Sequence, residues 1–152
     1  MENPNMWRFS VSRPLHELVE KYLLPEVASK GMRVVHQEAS TSFDNAFVVL
    51  QSDDLRVRVV RERGQVFADF GSAAEPGTWF DSAVVMEHLG LSESAGFHDR
   101  DAAKALRGLA KFLRALWDEL AAEFSSAAFA ATKRELIAVR ERRDVRRFGA
   151  AP

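Results

Sequence analysis

Leu55-Arg56-Val57-Arg58-Val59-Val60-Arg61-Glu62-Arg63-Gly64-Gln65-Val66-Phe67-Ala68-Asp69-Phe70 holds two strands and the turn that joins them. Over residues 55–59 apolar and charged side chains alternate with period two. That pattern sends Leu55, Val57 and Val59 to a core and Arg56 and Arg58 to water. Val66, Ala68 and Phe70 repeat the pattern less cleanly, and Asp69 between them is expected to face outward. Arg63-Gly64 is a tight turn, because glycine tolerates positive φ. A connection this short joins antiparallel neighbours.

Upstream, Ala46-Phe47-Val48-Val49-Leu50 is apolar on both faces, as in a central strand, and Ser52-Asp53-Asp54 links it to Leu55 by a second turn. Arg33-Val34-Val35-His36-Gln37-Glu38 reads as an edge strand. Four strands in a meander result. Before them, Leu15, Leu18, Val19, Tyr22 and Leu23 recur at helical spacing and form one apolar stripe. Ser12 and Pro14 mark the start of this helix. It runs from about residue 13 to 24, Pro25 ends or kinks it, and Gly31 stops any extension to Lys30.

Downstream, residues 71–78 form a loop by composition. Asp81 caps a short helix carrying Val84, Val85, Met86 and Leu89, with Gly90 behind it. Residues 92–97 form another loop. Asp99 is expected to cap the longest helix, whose stripe runs Leu106, Leu109, Leu113, Leu116, Trp117, Leu120 and Phe124. A last helix spans about 129–147. The order α-β-β-β-β-α-α-α reads as one α+β domain over residues 1–152, a four-stranded antiparallel meander packed on one face by helices.

The chain has 152 residues, 22 acidic and 21 basic, a net charge of −1 and no cysteine. Absence of cysteine excludes disulfides, a thiolate nucleophile, a zinc ribbon and an Fe–S cluster. No apolar run approaches the ~20 residues of a membrane helix, and the first residues lack a secretory pattern, so a cytoplasmic protein is expected.

The four histidines, His16, His36, His88 and His98, occupy different elements, and none shows metal-ligand spacing. Ser72 follows Phe70-Gly71 without the strand–elbow–helix setting of a serine nucleophile. No lysine follows Gly71 or Gly77 as a phosphate loop requires, and Asp53-Asp54 reads as a solvated turn. These residues predict no catalytic group, no cofactor and no metal. The basic residues are more informative. Arg56, Arg58, Arg61 and Arg63 crowd one hairpin, and a helical arm at about 133–148 carries +4 over residues 133–147, leaving −5 for residues 1–132. Such clusters suit an anionic or protein partner, although long arginine stems also cover apolar neighbours.

Residues 43–50, 55–70 and Trp79-Phe80 together resemble small uncharacterised bacterial α+β proteins, some of which look like immunity proteins of polymorphic toxin systems. The likeness centres on Arg61-Glu62-Arg63-Gly64-Gln65, similar to an Asp-Arg-Gly-Gln pattern with Glu62 in place of the aspartate. The resemblance implies a non-catalytic protein that works by binding another protein, and an immunity-type protein that neutralises a cognate toxin by stoichiometric binding is the specific form expected. The expected contact set is Arg61, Arg63, Asp69 and Trp79, where charged, turn and aromatic residues converge. The alternative is a nucleic-acid-associated or regulatory module that uses the arginine-rich hairpin and the basic arm.

Overall fold

The computed structural model describes residues 13–40, 45–91 and 99–149. Five strands form one antiparallel sheet in sequence order: β1 (Arg33–Ala39), β2 (Ala46–Gln51), β3 (Leu55–Glu62), β4 (Gln65–Ser72) and β5 (Phe80–Asp81). The class is the expected α+β, with one strand more than the alternation shows. β5 is only two residues, Phe80 opposite Phe70 and Asp81 opposite Asp69, too short to leave a period of its own.

Helices α1 (Leu15–Tyr22) and α2 (Leu24–Val27) precede the sheet and run into a 3-10 turn at Ala28–Lys30. The break falls at Leu23, because Pro25 begins a new first turn rather than continuing the old one. Gly31, at φ 82°, ends the segment in the left-handed conformation that glycine adopts without penalty. Helices α3 (Ser82–His88), α4 (Ala102–Glu123) and α5 (Phe129–Phe148) follow. Asp81 caps α3 by accepting from the Val84 N–H at 2.9 Å. The cap of α4 is Asp101, not Asp99: Asp101 accepts from the Lys104 N–H, whereas the Asp99 backbone pairs with Val66 on the rim of β4. Ser12, His98 and the expected loop at 92–97 lie outside the described residues.

One face of the sheet carries the core. Val48 and Leu50, Leu55, Val57 and Val59, and Val66, Ala68 and Phe70 are buried in a single cluster. Leu15, Leu18 and Val19 of α1, Val84 to Met86 of α3 and Leu106, Leu109 and Leu113 of α4 complete it. Each buried aliphatic side chain contributes about 1.5–3 kcal/mol. The two tight turns form as read. Ser52 and Leu55 close the β2–β3 turn by reciprocal bonds, the Ser52 hydroxyl also accepting from the Leu55 N–H. At the β3–β4 turn Arg63 has φ 51° and Gly64 φ 78°. Both central residues are therefore left-handed, as the right-handed twist of a two-residue hairpin requires. β1, at the other rim, slips register by a bulge between Val34 and His36.

The basic arm is α5 beyond its first turn, and it is docked. Arg143 and Arg146 both donate to Glu87 of α3, Lys133 pairs with Glu75, and the Arg140 guanidinium lies 5.1 Å from the Phe80 ring centroid. At its end Phe148 is 76% exposed. No helix among the described residues is long and apolar enough to cross a membrane.

Candidate functional site

The face of the sheet opposite the core is built from three transverse rows in register. The first runs Arg33, Gln51, Arg56, Gly71; the second His36, Val49, Arg58, Asp69, Asp81; the third Glu38, Phe47, Val60, Phe67. None of these side chains belongs to the core cluster. Val49 is nonetheless only 3% exposed, because its in-register neighbours are the long side chains of His36 and Arg58. Phe47, Val60 and Phe67 stay half-buried. They form an apolar strip on a sheet face to which no described helix contributes core residues.

Beside the strip lies a fixed arginine–tryptophan assembly. Arg58 donates through Nε (3.1 Å) and Nη2 (2.8 Å) to Oδ2 of Asp69. Arg56 donates Nε to Gln51 at 3.0 Å and Nη1 to the Pro76 carbonyl. Both guanidinium groups lie near the Trp79 ring, at 5.1 Å for Arg56 and 4.7 Å for Arg58, within reach of its π face. Trp79 can lie there because Gly71 has no side chain: a Cβ at Gly71 would sit 2.7 Å from the Thr78 carbonyl oxygen and 3.2 Å from the indole. Burial, and then the neighbouring charge of Arg58, lower the Arg56 pKa from the ordinary arginine value. Burial also raises the Asp69 pKa above its ordinary 3.8, outweighing the hydrogen bonds from Arg58 that lower it. Arg58 is thus paired with the Asp69 carboxylate, whereas Arg56 donates to neutral groups, Gln51 and the Pro76 carbonyl.

The expected contact residues are therefore distributed differently. Arg61 has the same parity as Val57 and Val59 and lies on the core side, 4% exposed, where its Nη1 donates to the Arg13 carbonyl at 2.8 Å. Asp69 does lie on the outer face but is 8% exposed, covered within the arginine–tryptophan assembly rather than presented to solvent. Arg63 is exposed at the turn tip, its N–H directed to Asn45 Oδ1. Trp79 is half-buried on the outer face. Sequence reading missed Phe47, Val60 and Phe67 as a strip, although their parity opposite the core residues carried the signal.

Two further features lie near the arm. A cleft of about 870 Å³ opens between Phe67 and Ala68 of β4, the start of α3 and the arm, with Arg140, Arg143, Arg146 and Arg147 on its arm side. Hydrogen bonding from Arg146 holds the Glu87 carboxyl in it below the ordinary 4.5. At the junction of α3, α4 and α5, His88 meets two glutamates. Its Nε2 lies 3.3 Å from Glu123 Oε2 and its Nδ1 3.7 Å from Glu135 Oε2. Burial opposes ionisation of Glu123, but the Thr132 hydroxyl, donating at 2.7 Å, and His88 hold its carboxyl below the ordinary 4.5. The three residues span 47 positions of sequence, so no local spacing could announce them. Ser72 is fully buried, and its hydroxyl donates to the Phe124 carbonyl at 2.6 Å, a fixed structural contact. Comparison with protein-family models, curated proteins and solved structures finds no match for this chain.

Proposed function

We propose that this chain is a non-catalytic protein-binding domain that docks its partner on the outer face of the sheet. The observation that carries this reading is the half-exposed Phe47–Val60–Phe67 strip, set outside the core beside Arg56, Arg58 and Trp79. Aromatic residues and arginine are the residues enriched where proteins bury surface against one another, and anchors held rigid before binding lose little entropy on docking. A fitting partner presents an apolar centre and a carboxylate opposite Arg56, whose charge Asp69 does not balance. Neutralisation of a cognate toxin by stoichiometric occlusion is the specific form we favour, since a preorganised strip of complementary charge gives fast and selective capture without turnover.

The nucleic-acid alternative finds less support in the geometry. Arg61 faces the core, Arg58 is bonded to Asp69, and Arg143 and Arg146 share Glu87. The test is co-expression with the product of the neighbouring gene, reading growth protection and co-purification, with thermal melting in parallel. Val60→Glu and Arg56→Glu should each abolish protection and leave melting close to that of the parent. Protection that survives both substitutions would remove the sheet face from the account. Nonspecific duplex binding at ~150 mM salt that weakens steeply with added salt would replace this reading with the alternative.

A further inference from the structure

We propose that His88, Glu123 and Glu135 form a binding site for one divalent transition-metal ion of the zinc type. This inference stands apart from the sheet face and does not depend on it. One nitrogen of His88 and one carboxylate oxygen from each glutamate lie within 4.8 Å of one another, drawn from three different helices. An imidazole nitrogen with two carboxylate oxygens is a donor set that suits zinc and its neighbours, with room for water in the remaining position.

One detail points to an ion rather than to a plain ion pair. The His88 side chain is nine-tenths buried, 10% exposed, and its Nε2 makes no hydrogen bond of acceptable geometry. Glu123 Oε2 is near enough, at 3.3 Å, but lies off the line along which Nε2 would donate. A buried nitrogen without a well-aimed partner is uncommon, because an unmet polar group costs about 1–3 kcal/mol. The same offset is what a shared ion produces. Two ligands each about 2.1 Å from one metal, at the tetrahedral angle, stand about 3.4 Å apart and do not point at each other.

The surroundings are also those of a ligand shell. The Thr132 hydroxyl, itself buried, donates to Glu123 Oε2 at 2.7 Å and fixes the carboxylate that faces His88. Such outer hydrogen bonds orient ligands and raise affinity. Glu135 is 66% exposed, so it can turn from Nδ1 toward the ion and gives solvent-side entry. The ion would join the last residue of α3, the last residue of α4 and the second turn of α5, the points where the basic arm is seated.

The experiment uses the full chain without an affinity tag, stripped by chelator and titrated with Zn²⁺ by calorimetry and with Co²⁺ by visible absorption. One ion per chain is expected, with the low-coordinate Co²⁺ spectrum of mixed nitrogen and oxygen ligands and a melting temperature that climbs with free Zn²⁺. His88→Asn, Glu123→Gln and Glu135→Gln should each remove the one-to-one phase. Thr132→Val should weaken it about 10–100-fold, and Glu20→Gln on α1 should leave it intact. Glu135 is exposed, so its variant decides the matter even where substitution at His88 or Glu123 impairs folding. No saturable one-to-one binding would overturn the proposal. So would binding that Glu135→Gln leaves unchanged, since the ion would then sit at other histidines such as His16 or His36.

Discussion

The two faces of the β3–β4 hairpin use the same residue types in opposite ways. On the inner face, Leu55, Val57 and Val59 meet Ser72, Phe70 and Ala68 and vanish into the core, and Arg61 continues their line opposite Val66. On the outer face, Arg56 and Arg58 stand where solvated charges are expected, yet they are bonded to Gln51, Pro76 and Asp69 and packed near Trp79. Position in the alternation decides which way a side chain points. It does not decide whether that side is wet. An arginine can end a core row when a backbone carbonyl waits for its guanidinium, and the face opposite the core can still be covered by its own long side chains.

The hardest way to break this contrast is at its inner side. Val57→Asp puts a carboxylate with no cation in register into the core and should cost several kcal/mol, enough to abolish a cooperative melt near the parent temperature. A parent-like melt would mean that the strand is out of register. Arg61→Glu tests the same face at its end. It removes the donor to the Arg13 carbonyl and buries a negative charge, so a loss of about 3–5 kcal/mol is expected in denaturant titration. Arg63→Glu, one turn position away and exposed, should stay within about 0.5 kcal/mol of the parent.

The outer face is sharpened by Gly71→Ala. The new Cβ meets backbone at Thr78, which cannot yield as a side-chain tip can, so Trp79 must lift from the arginines. We expect a loss of about 1–3 kcal/mol and a change in indole fluorescence, while Val57→Ile on the other face leaves the fluorescence unchanged. A silent Gly71→Ala would mean that the assembly is not packed on β4. Between the faces, Arg63→Asn should stabilise by up to about 1 kcal/mol, because asparagine tolerates the left-handed region better than arginine.

The smallest effect belongs to an exposed pair that the sheet does not shield. The Glu87 carboxyl is depressed below 4.5 by Arg146, so its contribution is present above pH 4.5 and is lost as pH falls through the depressed value. Amide protection factors in residues 140–148, taken relative to the intrinsic rate at each pH, should therefore fall in acid, and Glu87→Gln should remove that pH dependence.

Much of the inner face was legible, because period-two alternation over residues 55–59 and 66–70 reports burial directly. Arg61 was misread since its charge outweighed its parity. Phe80-Asp81 carries no strand signal, and only the neighbouring Asp69 and Phe70 make it one. Asp99 and Asp101 are equally good caps by type. Backbone pairing with Val66 withdraws the first, and that pairing crosses 33 positions of sequence. The outer strip is carried by the parity of Phe47, Val60 and Phe67, whereas the His88 junction depends on contacts between elements, which local periodicity does not encode.

That pairing of Asp99 with Val66 has a further consequence. A meander exposes backbone donors and acceptors along its two outermost strands, and unoccupied rims invite recruitment of a stray strand from another chain. Here β4 gives its rim to β5 at Asp69 and Phe70 and to Asp99 at Val66, which exchanges both backbone bonds at 2.8 and 3.0 Å. At the opposite rim the bulge at Val34/His36 interrupts the regular ladder, and Arg33 and Glu38 add charge. Growth of the sheet into a fibre-like stack is thus hindered from both ends.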